Sequence, residues 1–333
     1  MIDLPLIFAL VIAFAIFMYV LMDGFSLGVG ILFRFAPSDA HRNVMMNSTA
    51  PVWDGNQTWL VMGGVGLLAA FPLAYAVLLP ALYLPLSVML IALIFRGVAF
   101  EFRFKSEDYR HLWDLSFSLG SITATFAQGL SLGAFIQGIA VENRQFAGGA
   151  FDWLTPFSVM TGFALIFGYG LLGATWLVLK TENDIQNWAY RMALWLLASV
   201  IVCMGVVSLW TPLLNPAIAD RWFSWPNILY LAPVPVAVAA AGFGLFWAIL
   251  QRRHMAPFIL AMSLFALGYL GLGISLWPYV VPPVYTIWDA AAAPESQAFL
   301  LVGVAVLIPV ILGYTAYSYW VFRGKVKQDV GYH

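Results

Sequence analysis

Charge is what this sequence has least of. Only 9% of its 333 residues are Asp, Glu, Lys or Arg, against about 25% in a typical soluble domain. Hydrophobic residues make up 62% and the mean hydropathy is +0.88. A water-soluble globule is excluded, and the composition is that of a polytopic membrane protein. The net charge of −1 gives no basis for nucleic-acid binding. The single cysteine, Cys203, excludes an internal disulfide framework, a CxxC zinc pair and a c-type haem attachment site. Neither a Walker A loop nor an HExxH pair occurs. MIDLPLIFALVIAF at the start has no basic leader and carries Asp3, so it reads as the beginning of a first spanning helix.

What is present is a series of long apolar runs. A helix needs about 20 apolar residues to cross a bilayer. By that measure nine spans are expected, at approximately 5–33, 53–71, 75–100, 114–139, 156–180, 187–211, 227–250, 256–279 and 297–322. The second and third are parted only around Pro72. The expected fold is all-α, one integral-membrane helical domain over 1–333, with no evident repeat.

Basic residues give the orientation. With nine spans, one side receives Arg34, Arg42, Arg103, Lys105, Arg110, Lys180, Arg191, Arg252, Arg253, Arg323, Lys325 and Lys327. The other receives only Arg144 and Arg221. Lys and Arg favour the cytoplasmic face, so the N-terminus is expected outside and the C-terminus inside. The longest polar connections, Arg34–Ala50 and Glu101–Trp113, then face the cytoplasm. The outer loops are rich in Trp and Pro.

The first three spans hold three charged residues. Asp23 lies about 18 residues into the first, roughly 27 Å along it at 1.5 Å per residue. It sits beside two small-residue faces, Gly24/Gly28 and Ser26/Gly30, which let another helix approach closely. Asp54 begins the second span in NSTAPVWDGNQTWLV, where Pro51 fits a first turn and Asn47, Ser48 or Thr49 can cap it. An acid there also suits the helix dipole alone. Arg96 ends the third span, where snorkelling is an equal explanation. The topology places all three at similar depth. They are expected to converge, Arg96 pairing one carboxylate while the other exchanges protons with cytoplasmic water.

Other polar groups read more plainly. Gln128 and Ser131 suit helix–helix hydrogen bonds. Tyr314, Tyr317, Tyr319 and Trp320 suit an aromatic belt. The histidines, His41, His111, His254 and His333, are expected in loops or the tail, not where an intramembrane haem takes its ligand. No haem or metal wholly ligated by this chain is expected.

DGFSLGVG, NSTAPVWDGNQTWLV, FRGVAFEFRFK, WPYVVPPVYTIWDAA and GYTAYSYW together resemble subunit II of the cytochrome bd-type quinol oxidases. The likeness runs from end to end, and the short loops resemble the cyanide-insensitive branch. It implies a bacterial inner-membrane enzyme that oxidises quinol and reduces dioxygen to water. It implies a partner, subunit I, carrying b-type haems and a d-type haem or its b-type substitute, while subunit II holds no redox centre. Lipids and a small single-helix subunit are further partners it allows. It also implies that Asp23 and Asp54 serve a proton route from the cytoplasm, with Ser26, Gln57 and Thr58 orienting water and Arg96 in support. Two positions depart from the family: most members have an acid where Ser26 stands, and many have Glu at Gln57. Two alternatives are a proton-coupled secondary transporter, disfavoured because the charges gather at one face and no broken-helix repeat is seen, and a purely scaffolding subunit.

Overall fold

A computed structural model describes residues 2–106 and 108–326; Lys327 and His333, both used above, lie outside them. The chain is nearly all helix. In order come α1 (Leu4–Phe33), α2 (Asp39–Thr49), α3 (Trp53–Ala70), α4 (Pro72–Phe102), α5 (Arg110–Gln137), α6 (Pro156–Lys180) and α7 (Asn183–Leu214). They are followed by α8 (Pro216–Phe223), α9 (Asn227–Leu231), α10 (Pro233–Leu250), α11 (Ala256–Leu276) and α12 (Pro294–Val321). Two antiparallel hairpins, β1 (Val141–Glu142) with β2 (Gln145–Phe146) and β3 (Tyr279–Val281) with β4 (Tyr285–Thr286), cap one end of the bundle.

Eight stretches among the described residues are long and apolar enough to cross a membrane: α1, α4 to α7, the joined α9–α10, α11 and α12. The expected ninth corresponds to α3. Its first two turns hold Asp54, Asn56, Gln57 and Thr58, which dilute its hydropathy, and its 18 residues span only about 27 Å. Phe71 alone separates α3 from α4, the tight turn expected at Pro72.

The segment before α3 differs from expectation. Arg34–Ala50 contains a helix, α2, instead of a loop, because Ser38 caps it and Val44, Met45 and Met46 are buried on its inner side. Asn47, Ser48 and Thr49 therefore finish α2 and do not cap α3. The Ser48 and Thr49 hydroxyls donate back to the Met45 and Met46 carbonyls, at 2.7 and 3.2 Å. Pro51 lies in the turn, and α3 starts at Trp53 with no side-chain cap.

Close packing gives the bundle its centre. α1 lies directly against α6. A Cβ added at Gly28 would stand 1.8 Å from the Tyr169 carbonyl oxygen, and one at Gly173 would meet the Gly28 backbone. The Gly24/Gly28 face thus receives α6, while Gly30 packs on Ser121 of α5. α4 and α5 meet in the same way, Gly120 facing the Ala92 carbonyl. α12 is the opposite case, with Gln297 its one buried residue.

The ends are tied differently. At one, Trp288 Nε1 donates to the Asp3 carboxylate (3.2 Å), and Ala292 N and Gln297 Nε2 donate to the Ala70 carbonyl (2.9 and 3.1 Å). Asp289 there accepts from Thr286, which holds its carboxyl below the usual carboxylate range. At the other end Lys180 donates to the Phe322 and Gly324 carbonyls and Lys325 pairs with Glu182 (3.5 Å). α12 therefore finishes at the end opposite Asp3.

Candidate functional site

Asp23 and Arg96 meet. Asp23 faces inward from α1 because its flanking small residues draw α5 and α6 onto that helix. Arg96 reaches it from α4, which the Gly120 contact holds against α5. Both side chains are 0% exposed. Arg96 Nη2 donates to Asp23 Oδ1 at 3.1 Å and Nη1 to Oδ2 at 3.3 Å, a two-pronged pairing. A bare charge in such surroundings costs several kcal/mol, on the order of the buried-ion penalty, unless it is paired and hydrogen-bonded. The burial excludes snorkelling as the role of Arg96.

Ser26 is held by the same guanidinium. One turn beyond Asp23, its Oγ accepts from Arg96 Nη2. The guanidinium thus spans Asp23 and Ser26, one helical turn apart on α1.

The pair belongs to a wider polar network. Tyr19, one turn before Asp23 on the same helix face, lies beside its carboxylate. Gln128 of α5 donates from Nε2 to the Tyr19 hydroxyl (2.7 Å) and accepts from the Tyr169 hydroxyl of α6 (3.1 Å). Gln128 thus joins three helices, as expected of it. Ser131 does not, since its hydroxyl donates to Ala127 on its own helix (2.9 Å). The two tyrosines were not singled out from sequence. For Tyr19 the i, i+4 spacing to Asp23 was a readable signal; Tyr169 is placed only by the meeting of α1 and α6.

Asp54 lies apart from this network. It occupies the first turn of α3 and is exposed, as is Thr58 one turn later. Gln57 is half-buried, with Nε2 lacking a partner among the described residues. The residue that turns inward is Asn56, which is 1% exposed. Its Nδ2 donates to the Met22 carbonyl (2.9 Å) and its Oδ1 accepts from the Tyr319 hydroxyl (2.9 Å). Asn56 is two residues from Asp54, and Met22 precedes Asp23. The two acids therefore lie at matching depth, one inside the bundle and the other on its flank. Tyr319 is consequently not part of an exposed belt, although Tyr314, Tyr317 and Trp320 are exposed. A crevice lined by Pro51, Gly55, Asn56, Thr315, Ser318 and Tyr319 opens beside this contact.

Metal and haem ligands do not gather here. No group of three or more His, Cys, Asp and Glu is close enough to hold a metal ion among the described residues. His41 and His111 are in the first turns of α2 and α5, not in loops, because those helices start earlier than the apolar pattern indicates. His254 lies between α10 and α11. All three described histidines sit at or between helix ends.

Comparison with known proteins gives a consistent result. Residues 4–322 match the family described as cytochrome bd terminal oxidase subunit II. Cytochrome bd-I ubiquinol oxidase subunit 2 of Escherichia coli K12 is 29% identical over 363 residues, covering 98% of this chain and 94% of that one. Cytochrome bd ubiquinol oxidase subunit 2 of Bacillus subtilis is 29% identical over 322 residues, covering 92% of each. A chain in the structure of bd oxidase from Geobacillus thermodenitrificans shares the fold, with a TM-score of 0.75 and 19% identity, over 96% of this chain and 99% of that one. The near-complete span of the match, over a bundle of this architecture, shows that the chain belongs to the cytochrome bd terminal oxidase subunit II family.

Proposed function

We propose that this chain accompanies a haem-bearing subunit I and supplies the cytoplasmic limb of a proton route. Membership of the family makes it a subunit of a quinol-oxidising oxidoreductase, held in the bacterial inner membrane by several helices. The rest is our reading. Subunit I carries the b-type haems and the d-type haem or its b-type substitute, and these supply the reduction of dioxygen to water with electrons from quinol. This chain ligates none of them. It crosses the membrane nine times, α3 included, with its N-terminus periplasmic and its C-terminus cytoplasmic.

The observation that carries the proton route is the buried Asp23–Arg96 pair, level with the flanking acid Asp54. Asp54 shares one face of α3 with Thr58, Val61, Val65 and Leu68, all exposed. Their i, i+4, i+7 spacing makes a single stripe, and we place subunit I against it. Covered in this way, Asp54 becomes a carboxylate at a subunit seam, able to take a proton from cytoplasmic water and release it along the seam. Asp23 and Arg96 hold a fixed pair of charges behind it, and Asn56 ties the two helices. The route needs no pump, since protons consumed from inside and released by quinol outside already separate charge.

The test is Asp54→Asn in the assembled enzyme. Oxygen consumption is expected to fall several-fold while haem content and complex yield stay normal. Unchanged consumption defeats the proton role and leaves a scaffolding subunit. Loss of haem makes the residue structural.

A further inference from the structure

We propose that the corner where α2, the end of α4 and the start of α5 meet binds the phosphate of an anionic phospholipid. Three guanidiniums crowd there. Arg103 Nη1 (2.7 Å) and Arg110 Nη2 both donate to one neutral acceptor, Asn43 Oδ1. Arg103 Nε also bonds Asp114, which Arg42 approaches to 3.6 Å. Asp114 is the one acid enclosed with them among the described residues. Asp39 pairs with Arg42 from the exposed rim (2.6 Å), and Glu101 and Asp108 are exposed; Glu107 lies outside the described residues.

This arrangement has more positive charge inside than it neutralises. Arg103 is 1% exposed, yet its Nη2 has no acceptor among the described residues. Arg42 Nε and Arg110 Nε are buried and without a partner among the described residues as well. Burial, aided by Arg110 and opposed by Asp114, pushes the pKa of Arg103 down. Three orphaned guanidinium nitrogens on three cations match an anion with several acceptor oxygens, and guanidinium forks suit phosphate.

The surroundings favour a lipid over a free ion. The corner lies where spanning helices end. Phe35, Phe102, Tyr109 and Leu112 stand exposed around it, a rim suited to acyl chains and glycerol. Basic pockets at this depth hold acidic headgroups.

The purified oxidase complex, delipidated in detergent, is tested by its thermal unfolding midpoint with phosphatidylglycerol, phosphatidylcholine or inorganic phosphate added. Phosphatidylglycerol is expected to raise the midpoint several degrees more than phosphatidylcholine. An Arg42→Gln/Arg110→Gln complex is expected to lose at least half of that difference with its haem spectrum intact. Asn43→Asp places a carboxylate between Arg103 and Arg110 and is expected to remove the lipid dependence too, so it carries the test if the arginine variant fails to assemble. A full phosphatidylglycerol response in the variants that assemble overturns the site. An equal effect of millimolar inorganic phosphate overturns the lipid assignment.

Discussion

Asp23 and Asp54 lie at the same level of the same bundle, in opposite surroundings. Asp23 is enclosed, paired with Arg96 on both oxygens and set among Ser26, Tyr19 and Gln128. Asp54 is exposed on the flank of α3. The difference follows from the residues around them. Glycines at 24, 28, 120 and 173 let helices close over Asp23, whereas Asp54 belongs to a face left open by the described residues. A carboxylate fixed by a cation inside the fold stores structure. One left at an open face is available for chemistry with a partner.

The largest effect expected from breaking this contrast is at Arg96. Arg96→Ala strands the Asp23 carboxylate without its cation, which costs about 3–5 kcal/mol for a buried pair. The complex is expected to unfold at much lower temperature or fail to accumulate. Asp54→Ala, by comparison, breaks no ion pair or hydrogen bond among the described residues and is expected to cost much less than Arg96→Ala, even with subunit I seated on that face. Adding Asp23→Asn to an Arg96→Gln variant is expected to recover part of the loss, because no unpaired charge remains. Thermal unfolding of the four complexes measures the contrast, and equal loss at Arg96 and Asp54 would abolish it.

A smaller effect separates glycines that close the bundle from those that do not. Gly28→Ala drives a methyl into the Tyr169 backbone, which cannot swing aside as a side chain can. Overpacking of this kind costs about 1–3 kcal/mol. Gly64→Ala, on α3 with nothing in this chain's described residues within 4 Å of the added carbon, meets no backbone here and is expected to cost less than Gly28→Ala. The same unfolding measurement ranks the two; a loss at Gly64 confined to the assembled complex supports the seat of subunit I on that part of α3, and a Gly64→Ala loss as large as that at Gly28 would break the distinction.

Much of this architecture is legible in the sequence, and for physical reasons. Long apolar runs mark spanning helices, and Gly24/Gly28 with Ser26/Gly30 announced close contacts that α5 and α6 make. Depth brought Arg96 to one of the two carboxylates without naming which, and Asp54 does not join the pair. What depth cannot give is rotation about a helix axis. Asp54, Asn56 and Gln57 are neighbours in sequence, but their headings around α3 differ by 100° per residue, and no periodic apolar pattern in so polar a turn shows which heading is inward. The same gap hid Tyr319, whose neighbours in GYTAYSYW do face outward. α2 escaped because its sequence is polar overall and only Val44, Met45 and Met46 are buried in its middle.

The finest test concerns the strut between the two acids. Tyr319→Phe removes only the hydroxyl that donates to Asn56 Oδ1, leaving the ring in its packing against Phe25 and Trp176. Net loss of such a bond is about 0.5–1.5 kcal/mol, smaller than either effect above. Its value lies in the second readout. If Asn56 merely fastens α3 to α1, the variant complex unfolds slightly earlier and consumes oxygen at the normal rate. If the strut also sets how Asp54 stands at the seam, oxygen consumption falls out of proportion to stability, and Asn56→Asp, which keeps an acceptor for Tyr319 but cannot donate to the Met22 carbonyl when ionised, falls further. Rates that track stability alone in both variants would confine the functional surface to Asp54 itself.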